Sequence, residues 1–559
     1  MPTMTALTPT ASTSTCATSA TRPTKPPSAT IGPLPPIPTP VRASTLCHYL
    51  QGYTDKDKQY LVNGFTFGFP LEFFGPRYGF SPTLPPQAKN SHNPVISDKL
   101  HQELQSGRVA GPFTSPPFPN LFLSPLYAVP KKTPGKFRLI HDLSFPHGAS
   151  VNDFIPRELS TVSYASIDTA IKHIKTLGSG CYLAKTDIQS AFRLIPVHPD
   201  DHHLLGFRYN NAFYYDRCLP MGAKSSCAIF ETFSTALEWI SRKKLHIPFP
   251  THILDDFLFA NRSYHLCERD LTAFSNMCVD VGIPLADDKT YSPNTIMTFL
   301  GIELDTIAME ARIPTDKLHK CRDQLHSFLT VTSATLKQIQ SLIGLLNHVC
   351  QVVLPGRAFL RRLIDLTKSR SSPTTLIRIP THVRQDLIMW YDFLSSFNGK
   401  SFFLEDSFTY DSTLHLYTDA AASLGFGAVF QTSWLYGTWP HSFCGVNITI
   451  LEFYPIVLSL HIWGRLWTNK RILLHTDNEA LVHVINRQTS RNPAIMPLLR
   501  HFVLICLQYN ILCRAAHIPG KDQGWLTVYP VYRSTSSSRH IHIWIHTPSR
   551  YPPTCSRQP

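Results

Sequence analysis

The chain is expected to belong to the α/β class, in the mixed α+β sense, with two α/β regions separated by a helical one. Three observations carry that expectation. Between residues 121 and 310, strand-like and helix-like patches alternate. Residues 335–400 change to a helical period. In "TLKQIQSLIGLLNHVC" the residues Leu336, Ile339, Ile343, Leu346 and Cys350 recur at steps of three and four. From about residue 411 the alternation resumes, and it fades after Gln523. At 559 residues and 43% apolar composition, the chain is long enough for about two to four domains with packed cores.

Residues 1–45 are rich in Thr, Pro, Ser and Ala and carry no acidic residue, as in "TRPTKPPSATIGPLPPIPTP". Such a composition cannot bury a core, so a disordered or locally polyproline-like leader is expected. Residues 46–120 form an N-terminal extension in which "YLVNGFTFGFPLEFFGPRYGF" signals ordered packing. The first α/β region spans 121–310 and the helical region 311–400. In the latter a Ser/Thr-rich start caps the first helix, and further helices are expected at "RAFLRRLIDLT" and "VRQDLIMWYDFLSSF". The second α/β region spans 411–524, followed by a tail at 525–559. No internal repeat is visible.

Net charge is +14 and is spread along the chain. This favours an acidic partner, with nucleic acid foremost; a merely basic soluble protein is the plainer alternative. The thirteen cysteines form no CxxC pair. Cys506, Cys513 and His517 cluster, but their spacing fits no common zinc site, and their alternation with apolar residues points to core positions. Scattered thiols in odd number suit a reducing, intracellular compartment, cytoplasmic or nuclear. No run approaches the roughly 18–20 apolar residues of a membrane span, so no membrane partner is expected. The N-terminus lacks a charged-then-apolar signal pattern.

The chemistry is signalled by "THILDDFLFA" (251–260), where Asp255 and Asp256 interrupt an apolar run. Burying an ionised carboxylate without a partner costs several kcal/mol. A divalent metal would take that charge, and Mg²⁺ prefers carboxylate and phosphate oxygens. Alone, the pair reads more easily as a solvated surface feature. "YLAKTDIQSAFRLIPVHP" supplies a second acid, Asp187, after an apolar approach. Two strands each delivering an Asp to one place is what two-metal phosphoryl transfer requires.

The order of "KTDIQSAFRLIPVH", "CLPMGAKSSCAIF", "ILDDF", "GIPLADDKT" and "FLGIELDT" resembles the palm motifs of a reverse transcriptase. Upstream, "YAVPKKTPGKFRLIHDLS" resembles the fingers segment. "SGRVAGPFTSPPFPN", "FPHGASVND" and "VVLPGRAFLRRLIDLT" look like the polymerase of DIRS-like retrotransposons, which mobilise with a tyrosine recombinase. The resemblance covers about residues 48–522. It implies a right-hand polymerase: fingers and a ferredoxin-like palm over 121–310, a helical thumb or connection over 311–400, and then a truncated RNase H-like domain. The implied activity is RNA-directed DNA synthesis, with two Mg²⁺ ions per active site. The implied partners are an RNA template, a DNA primer or RNA–DNA hybrid, and deoxynucleoside triphosphates, with a recombinase supplied separately.

Carried over residue by residue, the resemblance makes Asp187 and Asp255 the catalytic metal-binding carboxylates, with Asp256 a weaker contributor. Ile253 stands two positions before Asp255, where many relatives carry Tyr, and DIRS-like elements vary there. Lys131 and Arg138 would hold the incoming triphosphate, chemistry that suits charge-assisted donors. Without the resemblance, "KKTPGK" reads equally well as a solvated basic turn. Phe192, five after Asp187, matches the aromatic gate against a ribose 2′-hydroxyl; at that spacing alone it would read as core. Met221 and Gly222 match the turn facing template and nucleotide, although many relatives have Gln or Phe in place of Met221. Lys289 stands where a lysine approaches the leaving pyrophosphate. Gly301 suits the hairpin that grips the primer.

A second set of acids follows. Asp419 ends a strand in "LHLYTDAAASLGFGAVF", Glu452 begins a helix in "ILEFYPIVLSLHIWGRLW", and Asp477 lies between strand and helix in "RILLHTDNEALVHVIN". Each could be a solvated acid, and Asp477 an N-cap. Their order resembles the RNase H fold, which implies catalytic and metal-binding roles for all three. The family usually supplies a fourth acid after a segment like "HIPGKD". Here "GWLTVYPVYRSTSSSRHIHIWIHTPSRYPPTCSRQP" follows instead, and residues 525–559 contain no Asp, Glu or Lys. Either a shifted reading frame or a flexible tail accounts for it. Asp522 precedes the expected position and is a poor substitute, so impaired RNase H activity is expected. The competing reading of the whole is an inert element remnant that binds nucleic acid. It leaves the palm carboxylates unexplained, since binding needs only basic and aromatic residues. A stand-alone nuclease leaves the fingers and palm motifs unexplained.

Overall fold

The computed structural model describes residues 37–77, 94–130, 135–368, 370–396, 401–402, 407–423, 425–443, 445–488, 490 and 492–518. Two short helices, α1 (Ala43–Tyr49) and α2 (Asp55–Phe67), open the described chain, and α3 (Pro94–Gln105) follows. Residues 37–45, expected within the leader, are instead seated on the following domain. Val41 is buried, the Thr39 hydroxyl donates to Leu194 O, and Arg42 donates to Asp280 O. These two polar contacts and the apolar anchor Val41 outweigh the leader's composition.

A hairpin of β2 (Leu126–Pro130) and β3 (Phe137–His141) pairs Val129 with Arg138. A separate three-stranded sheet joins β1 (Val109–Phe113), β6 (Ala212–Asp216) and β5 (Gly206–Tyr209) in that order. The central sheet has the order β7-β8-β4-β9, all antiparallel: Pro250–Ile253, Asp256–Asn261, Tyr182–Asp187 and Tyr291–Asn294. Helices α5 (Ser226–Lys243) and α6 (Tyr264–Val281) pack on one side of it, and α4 (Ile167–Leu177) on the other.

The unbroken apolar run of "FLFA" is explained by burial on both faces. Phe257 and Phe259 enter the core with Phe230 and Phe233 of α5 and Phe274 of α6. Leu258 and Ala260 enter the opposite core with Ile174 of α4 and Leu183. A strand buried on both faces loses the polar alternation of a half-exposed one.

Next come β10 (Ile296–Phe299), β11 (Ile302–Asp305) and β12 (Glu310–Arg312). Leu300 and Gly301 make the β10–β11 turn with φ of 52° and 74°. Both left-handed conformations match a two-residue hairpin that follows the strands' twist. Lys317, on α7 (Thr315–Thr330), donates to Gly301 O at 2.8 Å and holds this turn. A β13 strand (Ser333–Thr335) leads into α8 (Leu336–Val349), whose start is a capping box: Thr335 accepts from Gln338 N, and the Gln338 side chain accepts from Thr335 N. At "RAFLRRLIDLT" the helical period yields only a 3₁₀ turn, Leu354–Phe359, and the short α9 (Arg361–Asp365). Strand β14 (Leu376–Arg378) pairs with β13, and α10 (Thr381–Ser396) buries Trp390. A two-residue β15 (Ser401–Phe402) extends the β10-β11-β12 sheet.

The last region contains β16 (Phe408–Tyr410), α11 (Asp411–Leu414), β17 (Leu416–Ala421), β18 (Gly425–Phe430) and β19 (Ser433–Gly437). After these come α12 (Ile448–Trp463), β20 (Arg471–Thr476), α13 (Glu479–Arg487), α14 (Met496–Gln508) and β21 (Leu512–His517). Strands β17, β18 and β19 form an antiparallel meander, whereas β16, β20 and β21 are parallel. The turn α11 splits what would be one strand, so that β16 pairs with β20 and β17 with β18. Cys506 and Cys513 are buried with their sulfurs 3.9 Å apart. Asp386 of α10 receives the Arg500 guanidinium of α14 at 2.8 Å, which ties this region to the preceding helices. Among the described residues, no helix is long and apolar enough to cross a membrane.

Candidate active site

The register of β7 with β8 pairs Ile253 with Asp256 and leaves Leu254 and Asp255 as the turn. The register of β4 with β8 sets Asp187 opposite Asp256. Just beyond β4, Ile188 N donates to Asp255 O at 2.9 Å, so strand end and turn are fastened together. Asp187 and Asp255 therefore share one edge of the central sheet.

Their charges are only partly compensated. Burial raises the pKa of Asp255, and the Asp187 charge raises it further, against weaker opposition from Lys289 and Arg138. Lys289 ends the 3₁₀ turn Asp287–Lys289 after α6 and donates to both Asp187 oxygens, each at 2.8 Å. Burial pushes Asp256 up to about 6, even though Lys185 opposes it. Asp256 Oδ2 lies 3.2 Å from Lys185 Nζ, and Oδ1 is buried without a hydrogen-bond partner among the described residues. Asp256 is thus adjacent to the other two acids and paired with a lysine. The cause is register: Asp256 and Lys185 lie on neighbouring strands with Lys185 within reach.

Among the described residues, no group of three His, Cys, Asp or Glu side chains forms a ready-made metal cage. The donor set nonetheless fits Mg²⁺, which is bound through one or two carboxylates with waters and substrate phosphates completing its octahedron. Two hard-oxygen carboxylates share an edge, one of them with a pKa raised by the other's charge, and an ammonium rests on the second. Among the described residues Asp187 is paired with Lys289, and no ion pair is seen at Asp255.

Arg138 is exposed on β3, near enough for its charge to act on Asp255. Lys131 lies outside the described residues. Phe192 is half-buried on the 3₁₀ turn Ala191–Leu194, its ring edge-on to Phe230 of α5 with centroids 5.7 Å apart. Ser190 takes a φ of 57° to start that turn. The neighbouring Arg193 pins it: its guanidinium lies 2.8 Å from Asp216 and 2.9 Å from Glu103, and it also donates to Cys218 O and Leu219 O.

Met221 O accepts from His141 N at 3.0 Å, and Asn152 Nδ2 donates to Gly222 O at 2.8 Å. Gly222 has a φ of 143°, and a Cβ there would lie 1.8 Å from His141 O. Glycine is required both by conformation and by the closeness of β3. Gly222→Ala should therefore destabilise the junction by about 2–4 kcal/mol, through backbone strain and overpacking. Thermal unfolding reads this out, and a midpoint equal to the parent's contradicts it.

In the last region Asp419 lies on β17, Glu452 in the second turn of α12, and Asp477 between β20 and α13. Burial raises the Glu452 pKa; Asn478 lowers it through a hydrogen bond, and the charges of Asp477 and Asp419 raise it again. Glu452 thus lies within electrostatic reach of both Asp419 and Asp477. Asn478, not Asp477, caps α13 by accepting from Leu481 N, and its amide donates to Glu452 Oε2 at 2.9 Å. Asp477 is left without the N-cap role. Residues 519–559, which include Asp522 and the anomalous tail, lie outside the described residues.

Residues 129–304 match the family described as reverse transcriptase (RNA-dependent DNA polymerase). That segment is similar to a reverse transcriptase domain. The match spans Arg138, Asp187, Phe192, Met221, Gly222, Asp255, Asp256, Lys289 and Gly301. The chain is 24% identical over 294 residues to the Gag-Pro-Pol polyprotein of sheep pulmonary adenomatosis virus, covering 49% of this chain and 15% of that protein. It is 26% identical over 265 residues to the Pro-Pol polyprotein of feline foamy virus, covering 47% and 20%. It is 28% identical over 164 residues to Protein P of duck hepatitis B virus (strain China), covering 29% and 20%. The chain thus spans a fifth or less of the length of these relatives. A solved foamy viral protease-reverse transcriptase, in complex with double-stranded DNA, superposes with a TM-score of 0.47 at 16% identity, over 87% of this chain and 84% of that one.

Within the segment that matches this family, sequence reasoning missed several supporting charges. Lys185 was passed over as part of an apolar approach to Asp187. Arg193 with Glu103 and Asp216 could not be found, because its partners come from distant elements. Glu231 and Glu238 carried a usable signal. They stand seven apart on α5, on one face of a helix otherwise packed with Phe230, Phe233 and Leu237.

Proposed function

We propose that this chain copies RNA into DNA by adding deoxynucleotides to a primer, and that its polymerase site is built on Asp187 and Asp255. The carrying observation is that these two carboxylates meet at the fastened edge of β4 and the β7–β8 turn, inside the segment that matches the reverse transcriptase family. Asp187 and Asp255 would hold Mg²⁺, which when bound lowers the pKa of the primer hydroxyl and offsets charge on the phosphates. The primer 3′-oxygen forms a bond to the α-phosphorus, its proton passes to solvent, and the α–β bridging bond breaks with its electrons leaving on pyrophosphate. Arg138, with Lys131, holds the triphosphate by charge-assisted hydrogen bonds. Lys289, which donates to Asp187 in this structure, would be placed to neutralise the departing pyrophosphate. Positioning and charge compensation carry most of such a barrier.

The finer affiliation we infer is with DIRS-like retroelements, supported by "FPHGASVND" and "VVLPGRAFLRRLIDLT". The test of the activity is primer extension on an RNA template with and without Mg²⁺. Absence of extension under both conditions by folded protein overturns the reading.

A second, RNase H-type activity is favoured by the placement of Glu452 within reach of the charges of Asp419 and Asp477. It is expected to be weak, because the sequence offers no family-type acid after "HIPGKD". Cleavage of a labelled RNA–DNA hybrid should be at least about tenfold slower than by a chain whose residues 525–559 are replaced with an acid-bearing ending, since the second ion would lack a ligand. Equal, vigorous cleavage by both chains would show that the missing acid is irrelevant.

A further inference from the structure

We propose that Glu231 is the positioning residue for the turn that carries Asp255, acting from α5 through the backbone of Leu254, with His252 and Glu238 braced behind it. The inference rests on the reading of Asp187 and Asp255 as the polymerase site.

Leu254 is the residue before Asp255 and takes a φ of 51°. For a branched, non-glycine side chain the left-handed region is unfavourable, so something must hold it there. Glu231 Oε2 accepts from Leu254 N at 3.2 Å. One residue on, Ile188 N donates to Asp255 O at 2.9 Å. The Leu254–Asp255 segment is thus gripped at its amide end from α5 and at its carbonyl end from beyond β4. Together these contacts set where the Asp255 carboxylate is aimed.

Glu231 is itself buried and would be costly there without compensation. Its other oxygen lies 3.3 Å from His252 Nε2, and His252 Nδ1 lies 2.5 Å from Glu238 Oε2. His252 stacks on Phe257, with centroids 5.3 Å apart and planes 20° from parallel. Glu238 accepts from Arg242 Nε at 3.0 Å, and Arg242 Nη2 donates to Pro250 O at 2.8 Å, at the start of β7. Burial alone would keep His252 neutral, but the two carboxylates that face its ring nitrogens, Glu231 and Glu238, push it up to about 9, which favours its protonated form at neutral pH. The result is a continuous line of alternating charge, Arg242, Glu238, His252, Glu231, ending on the Leu254 amide. It clamps both ends of β7 to one face of α5. Neither Glu231 nor His252 touches the reacting atoms in this arrangement; each acts through the turn.

Two substitutions separate reach from charge. Glu231→Asp keeps the negative charge beside His252 but is one methylene short of Leu254 N. Glu231→Gln keeps the length and an acceptor oxygen but loses the charge. If positioning is the role, Glu231→Asp lowers kcat for primer extension by about tenfold or more, as small misplacements of a catalytic group do. It also raises the Mg²⁺ concentration giving half-maximal rate, while KM for the deoxynucleotide changes by less than about threefold. Glu231→Gln recovers most of the parental kcat. Circular dichroism and the thermal midpoint verify that each variant is folded, and the two are compared only with each other and the parent. A parental kcat and Mg²⁺ response in folded Glu231→Asp overturns the proposal. So does a Glu231→Gln variant as slow as Glu231→Asp, because the charge rather than the grip on Leu254 would then matter. Should Glu231→Asp not fold, Glu231→Gln decides alone: loss of kcat in folded protein overturns the proposal, and retention supports it. Failure of the underlying reading looks different, since Asp255→Asn would then extend primers like the parent.

Discussion

Asp255→Asn is expected to abolish Mg²⁺-dependent primer extension, with a rate loss of roughly a thousandfold or more, or about 4 kcal/mol of transition-state stabilisation. Asn has nearly the same shape and keeps one acceptor oxygen, but it carries no charge to hold a cation. The fold should not suffer. Burial and the neighbouring Asp187 raise the pKa of Asp255, which means that its charged form is destabilised where it stands. A group whose folded pKa is raised contributes unfavourably as pH climbs through and above its unfolded value. At neutral pH and without added metal, the amide removes that penalty. The thermal midpoint of Asp255→Asn should therefore equal or exceed the parent's. Loss of extension with a retained midpoint separates a lost ligand from a misfolded protein. A folded Asp255→Asn that extends primers at the parental rate removes Asp255 from the site.

Asp187→Asn should behave differently, because Asp187 has a cation on it already. Lys289 donates to both of its oxygens. The amide would lose that pairing as well as the ligand, so some stability goes with the activity. The two neighbouring acids thus give distinguishable signatures from one cause: which of them already has a lysine.

The parts of the site legible in the sequence were those whose meaning is local. "KTD", "LPMG" and "ILDD" each lie on one strand end or turn, and the spacing along a strand tells which residues reach its edge. The same holds for "TLKQIQSLIGLLNHVC", whose helix and capping box follow from residues a few positions apart. The helix expected at "RAFLRRLIDLT" is present only as the short α9, because a 3₁₀ turn that buries Phe359 against Phe393 of α10, centroids 5.3 Å apart, takes up its first part. Residues 37–45 failed for the same kind of reason, since Val41 and Thr39 find partners that composition cannot foresee. The charges that support the site were least legible. Arg193 draws on Glu103 and Asp216, and Asp256 draws on Lys185 across the register of two strands. Pairings of that kind exist only once the sheet is assembled.

Phe192→Val is expected to lower the preference for deoxynucleotides over ribonucleotides by on the order of ten- to a hundredfold, because it removes a clash rather than a contact. The turn that carries Phe192 begins a few residues after Asp187, and on the reading of Phe192 as the sugar gate its ring would face the nucleotide held there. One edge of the contact is fixed by Phe230, which is fully buried on α5, and this limits how far the Phe192 ring can retreat. The backbone is fixed independently by Arg193, through Asp216, Glu103 and two carbonyls. Shortening Phe192 therefore leaves the turn in place. The packing lost against Phe230 costs about 1–2 kcal/mol for a half-buried ring, well short of unfolding the domain. Extension with deoxynucleotides should persist within a few-fold of the parent, so the effect appears in the ratio of kcat/KM values and not in overall activity. Single-nucleotide incorporation with matched ribo- and deoxynucleoside triphosphates measures it. A variant that extends normally and discriminates as well as the parent shows that Phe192 is a packing residue for Phe230 and that the sugar is read elsewhere.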